Sequence, residues 1–244
     1  MAPLHTPLAA FARRPLPLPR GVTPADARGW QPGKADAPLH GEIFASSREG
    51  GGAALALALV LDQMAAQDVN PAADVPDQRA WLWVQDAGAV RLTGRPYRPG
   101  LPAALRHRLV HVSAKNPEDA LFSLEEGLRC RDLAFVIGEV AGNPRALDFT
   151  ASRRLSLAAE RHRVPLWLVR IDAQRDLSSA RQRWDARAAP SLPPRWNPQG
   201  PGSAAWQAQL FRARSHPPGA WLLHDQDGRL ALSVAGDAAA LQVF

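Results

Sequence analysis

Apolar residues fall in short continuous blocks separated by turn formers and by longer stretches that suit helices. Gly41 to Ala45, Arg79 to Gln85, Leu109 to Ser113, Leu133 to Glu139 and Val164 to Ile171 are too short for helices. They are bounded by turn residues and read as strands, and the continuously apolar ones as strands covered on both faces. Between them, Ala53 to Asp68 is so rich in alanine and leucine that no polar face forms before Asp62, Gln63 and Gln67, as expected for a helix pressed onto a sheet. Asn70 and Pro71 end it. Asn116-Pro117-Glu118-Asp119 opens a second helix with a capping amide, proline at its first position and acids in its first turn, running to Cys130. Asp148 or Thr150 caps a third, which runs through Arg163. Strand and helix alternate, which predicts an α/β fold with a mostly parallel central sheet flanked by helices.

The pattern changes after Arg183. Trp206 to Arg214, Ala220 to Asp225 and Arg229 to Val234 read as antiparallel strands joined by tight turns, a hairpin extension of the sheet. The expected organisation is a proline-rich arm over 1–40, an α/β core over 41–188, a proline-rich linker over 189–202 and the hairpin extension over 203–244. Trp81 and Trp83 alternate along one strand and point to the same buried face.

The 244 residues suffice for one full core. The single cysteine, Cys130, cannot form an internal disulfide, which suits a reducing, cytoplasmic setting. His107 and His111 are four apart but have no acid between them, so neither a metal site nor a cofactor is expected. The apolar run Ala53 to Leu61 is too short to span a membrane. Five prolines between Pro3 and Pro19 break any signal or transit helix.

Nearly all of the basic charge is arginine. From Arg145 to Arg195 eleven arginines face five acids, a surplus equal to the formal +6 of the chain. Two readings stand: a surface for an acidic partner or phosphate backbone, or a solvated face.

Gly41-Glu42-Ile43-Phe44-Ala45-Ser46-Ser47-Arg48-Glu49-Gly50-Gly51-Gly52 reads as strand, glycine-rich loop and helix start. On the phosphate-loop pattern G-x-x-x-x-G-K-[ST], the four defining positions are Ala45, Gly50, Gly51 and Gly52. Neither the lysine for the β- and γ-phosphates nor the hydroxyl for Mg²⁺ is present. Where nucleotide hydrolases carry a water-activating carboxylate, Gln85 stands, followed by Asp86; where a later strand would end in a metal-linked Asp, Gly138 stands beside Glu139. Loss at three stations points to a chain without ATPase activity, and a turn that never bound nucleotide is the plainer alternative. Ser46 and Ser47 lack the G-x-S-x-G context of a hydrolase, and Glu125-Glu126 reads as a solvated helix face. Trp184, among Arg181 and Arg183, is either a contact for nucleic acid or protein or an anchor for the last strands.

The strand Gly41 to Phe44, the degenerate loop and above all Asp148-Phe149-Thr150-Ala151-Ser152-Arg153-Arg154-Leu155-Ser156-Leu157-Ala158-Ala159-Glu160 resemble the ImuA family, with Ser178 to Trp184 and Pro218-Gly219-Ala220-Trp221 in the same pattern. The resemblance implies a RecA-like fold and a non-catalytic role in SOS-induced translesion synthesis and mutagenesis during DNA repair. The implied partners are a polymerase-like ImuB protein and an error-prone C-family DNA polymerase, with RecA or single-stranded DNA as further candidates. DNA contact would fall on Arg175, Arg181, Arg183 and Trp184; protein contact on Arg153, Arg154 and the C-terminal hairpin. A SulA-like inhibitor of cell division and a direct single-strand binder are the competing expectations.

Overall fold

The computed structural model describes residues 29–33, 39–67, 77–191, 194, 196–197, 199–226 and 228–232. Most of the proline-rich arm, the helix stop at Asn70-Pro71 and the end of the last strand at Val234 lie outside them. The described strands form one sheet. In chain order the elements are β1 (His40–Ala45), α1 (Gly51–Gln67), β2 (Ala80–Gln85), α2 (Ala87–Thr93), a 3-10 turn (Arg98–Gly100), α3 (Ala103–Arg106), β3 (Leu109–Ser113) and α4 (Pro117–Arg129). Then follow β4 (Leu133–Ala141), α5 (Phe149–His162), β5 (Leu166–Ile171), β6 (Gln182–Ala188), β7 (Ala205–Ala213), β8 (Gly219–Gln226) and β9 (Arg229–Leu232).

The strand order is β3-β2-β4-β5-β1-β6-β7-β8-β9. All pairs from β3 to β6 are parallel and all pairs from β6 to β9 antiparallel, so the mostly parallel sheet with an antiparallel C-terminal extension is as expected. Alternation along the strands divides the core into two layers. On one face Trp81, Trp83, Ile137, Val169, Trp184 and Trp221 pack with Leu55, Leu59 and Val60 of α1, Ala89 of α2 and Leu105 of α3. On the other, Leu82, Val84, Val136 and Leu168 pack with Leu124 and Leu128 of α4 and Leu155 and Ala159 of α5. Each fully buried side chain of this size contributes about 1.5–3 kcal/mol.

Local chemistry sets the helix starts. The Asn116 side chain accepts from the Asp119 N–H at 2.7 Å, with Pro117 next, as the sequence indicates. Asp148, rather than Thr150, caps α5 by accepting from the Ala151 N–H at 2.7 Å. The helix closes on Arg163 in the left-handed conformation at φ 58°. No element is expected over 86–108, yet Asp86 caps α2 there, accepting from the Ala89 N–H at 2.6 Å.

Two boundaries need correction. The first helix begins at Gly51, two residues before its expected start, so Gly51 and Gly52 are its first turn and not loop. The change of pattern expected after Arg183 begins at Gln182, and first as a parallel strand, since Gln182–Ala188 lies parallel to β1.

Candidate functional site

In a sheet of this order, the C-terminal ends of β1, β4 and β5 are where chemistry collects. The glycine loop follows β1 there. Its glycines have a packing explanation. A Cβ on Gly52 would lie 2.6 Å from the Ala45 Cβ and 2.9 Å from Val169 Cγ1, so the first turn of α1 presses onto β1 and β5 at a point with no room for any side chain. The position where a phosphate loop has its Mg²⁺-binding hydroxyl is thus sterically closed. Gly51 is less constrained, its nearest neighbour being the Ala188 nitrogen at 3.4 Å, and Gly50 is open.

The loop is engaged by the protein's own carboxylates. Ser47 N–H donates to Asp172 Oδ1 at 3.0 Å, and Asp172 sits at φ 50°, directly after β5. The Ser47 hydroxyl and N–H hold the Asp172 carboxyl below the usual range. Glu49 turns away to accept from the Ala188 N–H at 2.7 Å, which ties the loop to the end of β6.

The stations that would carry catalytic carboxylates are built into the core. Gln85 is buried, donating to Gly94 O at 2.8 Å and pairing with His111 Nε2 at 2.9 Å. Asp86 is spent on capping α2. A side chain at Gly138 would meet Leu124 and Leu168, each at 2.9 Å. Glu139 is 2% exposed, accepting from Trp83 Nε1 at 2.7 Å and Thr93 Oγ1 at 3.0 Å. Burial pushes its carboxyl pKa up, against the hydrogen bonds from Thr93 and Trp83.

Beneath the 172–181 segment lies a polar network that the sequence reading missed. Buried Glu42 accepts from Ser178 Oγ and Arg183 Nε, both at 2.7 Å, and lies 4.0 Å from Arg170. Arg170 holds Asp176 through both carboxylate oxygens at 3.1 and 3.2 Å. Ser152 and Ser156, one turn apart on the sheet face of α5, bond to Ser178 and Ser179 at 2.6–3.1 Å. Ser156 also meets His40 Nδ1 at 2.7 Å. Burial lowers the His40 pKa from 6.5 to about 4, keeping the ring neutral. The available signal was that Ser152 and Ser156 share the spacing of Leu155 and Ala159, the buried stripe of the helix.

This network and its rim account for most of the residues expected to contact DNA. Trp184 is a correction: at 0% exposure it packs between Trp30 and Trp221, with ring centroids 4.8 and 5.5 Å away, and is the anchor of the two readings. Arg183 is a second correction, buried against Glu42 and over the Phe44 ring at 5.1 Å. Arg175 reaches the surface but pairs with Asp185 and lies over Phe211 at 3.8 Å. Arg181 pairs with Glu160. Arg170, Arg175, Arg181 and Arg183 are thus each paired with a carboxylate.

Arg153 and Arg154 stay exposed on α5. Arg154 bridges to Glu125 across a groove of about 190 Å³ between α4 and α5, floored by Leu121 and Leu155 and edged by Phe122, which is 66% exposed. No protein-family model matches the chain, and no curated protein matches it significantly. Among the described residues, no helix is long and apolar enough to cross a membrane.

Proposed function

We propose that this chain is a RecA-like adaptor of the ImuA kind, without ATPase activity, that links a polymerase-like ImuB protein and an error-prone C-family polymerase during damage-induced lesion bypass. The observation that carries the non-catalytic half is the steric closure at Gly52, together with the Asp172 carboxylate lodged against the loop. A carboxylate at that place repels the phosphates that a phosphate loop would hold. The RecA-like half is supported by a central β1 feeding a glycine turn and a helix, with β4 and β5 on one side and β6 leading into antiparallel strands on the other. For partner contact, Arg153, Arg154 and the Phe122-edged groove are the favoured surface, since they combine charge with exposed apolar area.

Two measurements test the reading. ATP turnover with Mg²⁺ and single-stranded DNA is expected at background, and robust hydrolysis abolished by Glu139→Gln overturns it. Affinity capture with the full chain is expected to retain the ImuB-like protein and the polymerase. Capture of a tubulin-like division protein without either polymerase partner replaces the adaptor with a division inhibitor.

A further inference from the structure

A second basic segment contains no acid of its own. Between Ala87 and Pro117 there are six cations, Arg91, Arg95, Arg98, Arg106, Arg108 and Lys115, and no Asp or Glu. Arg91, Arg95, Arg98 and Lys115 are exposed. Among the described residues none of the six forms an ion pair with a carboxylate. Three of them donate to backbone carbonyls instead: Arg98 to Leu109 O at 3.2 Å, Arg106 to Leu101 O at 3.0 Å and Arg108 to Ala104 O at 2.7 Å. A carbonyl orients a guanidinium without neutralising it.

The fold brings Arg95 and Arg98 to one edge of the sheet. β3 is the outermost strand. Gly94 is held by Gln85, which lies beside Ser113 at the far end of β3, while Arg98 reaches Leu109 at its start. Residues 94–98 therefore run along the β3 edge. Arg95 and Arg98 lie close enough to His111, in the middle of β3, to add to the effect of burial in lowering its proton affinity. At the centre of this run Tyr97, 75% exposed, stands between the two arginines.

We propose that the β3 edge, through Arg95, Tyr97 and Arg98, binds single-stranded nucleic acid. Uncompensated guanidinium groups pair bidentately with phosphates, and an exposed ring among them offers a base a stacking face without selecting its identity. An acidic peptide would use the same charges but gains little from the exposed ring. The surface is remote in sequence from the 172–183 segment, whose arginines are already paired, and the inference does not depend on the adaptor reading.

Fluorescence anisotropy with a labelled single-stranded oligothymidylate, titrated over a range of salt, tests it on the full chain. Binding is expected to weaken steeply with salt. Arg95→Gln/Arg98→Gln is expected to lower affinity about tenfold or more and to reduce the log–log salt slope by about 1.4, two phosphate contacts at roughly 0.7 each. Tyr97→Ala is expected to cost about fivefold or more while leaving the slope unchanged. Arg161→Gln/Arg187→Gln, both exposed and away from this edge, is the control and is expected to bind as the wild type does. The altered side chains are exposed, so matching urea midpoints establish that each variant is folded. Absence of binding at about 50 mM salt overturns the proposal, as does wild-type affinity in the Arg95/Arg98 variant. Displacement by polyglutamate as effective, charge for charge, as by unlabelled oligonucleotide also overturns it, in favour of an acidic peptide.

Discussion

Replacing Gly52 with alanine places a methyl group 2.6 Å from the Ala45 Cβ and 2.9 Å from Val169 Cγ1. Neither neighbour is the far end of a flexible side chain, so α1 must shift away from the sheet. Overpacking of this kind costs about 1–3 kcal/mol. The helical preference of alanine over glycine returns up to about 1 kcal/mol at an interior position and less in a first turn, so the net effect is destabilising. Gly51→Ala is the matched control. Its added carbon meets nothing closer than 3.4 Å, and the gain in helix propensity and the smaller entropy of the unfolded chain make it neutral or stabilising by up to about 1 kcal/mol. Urea unfolding reads both. With a slope of about 2–3 kcal/mol/M, Gly52→Ala lowers the midpoint by roughly 0.5–1 M and Gly51→Ala leaves or raises it. A Gly52→Ala protein as stable as the wild type refutes the packing explanation. Equal losses at both positions would mean that the loop needs glycine for its conformation.

Glu42→Gln leaves Arg183 and Arg170 buried without the carboxylate between them, and a loss of about 3–5 kcal/mol is expected in the same urea assay; a loss under 1 kcal/mol would mean the network adds little. His40 binds a proton less readily in the folded chain, at about 4 against 6.5, so the unfolded chain takes up more protons across that window. Stability contributed by His40 is therefore complete above about pH 6.5 and falls as pH drops towards 4, by roughly 3 kcal/mol at 1.36 kcal/mol per unit. Glu139, whose carboxyl is pushed up, acts in the opposite direction, so the measurement is the difference between the wild type and His40→Asn at pH 7 and pH 5. The variant is expected to lose less on acidification, and equal losses would refute the assignment.

The continuous apolar runs at Trp81 to Val84 and Leu133 to Ile137 were legible as strands covered on both faces because a buried strand has no solvent side to break the run. Asn116 was legible as a cap, and Asp148 as one of two candidates beside Thr150, because the bond a cap makes reaches only three residues ahead. The glycine loop was visible too, but not the reason for its glycines. Composition alone cannot tell a turn that wraps a phosphate from one that needs room for a neighbouring strand. β6 was hidden because Gln182, Arg183 and Asp185 are polar, and only the partners Glu42 and Arg175, distant or on a separate loop, make such a strand tolerable in the sheet.

The sequence by itself determined what depends on near neighbours: the alternation of β1 to β5 with α1, α4 and α5, the Asn116 cap, the missing lysine and hydroxyl, and the acid-free run from Ala87 to Pro117. Tertiary structure decided which charges are free. Arg183 and Glu42 are 141 residues apart yet cancel inside the protein, while Arg95 and Arg98 have equal formal charge and, among the described residues, no ion pair with a carboxylate. A side chain's charge is fixed by its chemistry, but its influence on a partner is set by what folding brings within a few ångströms of it.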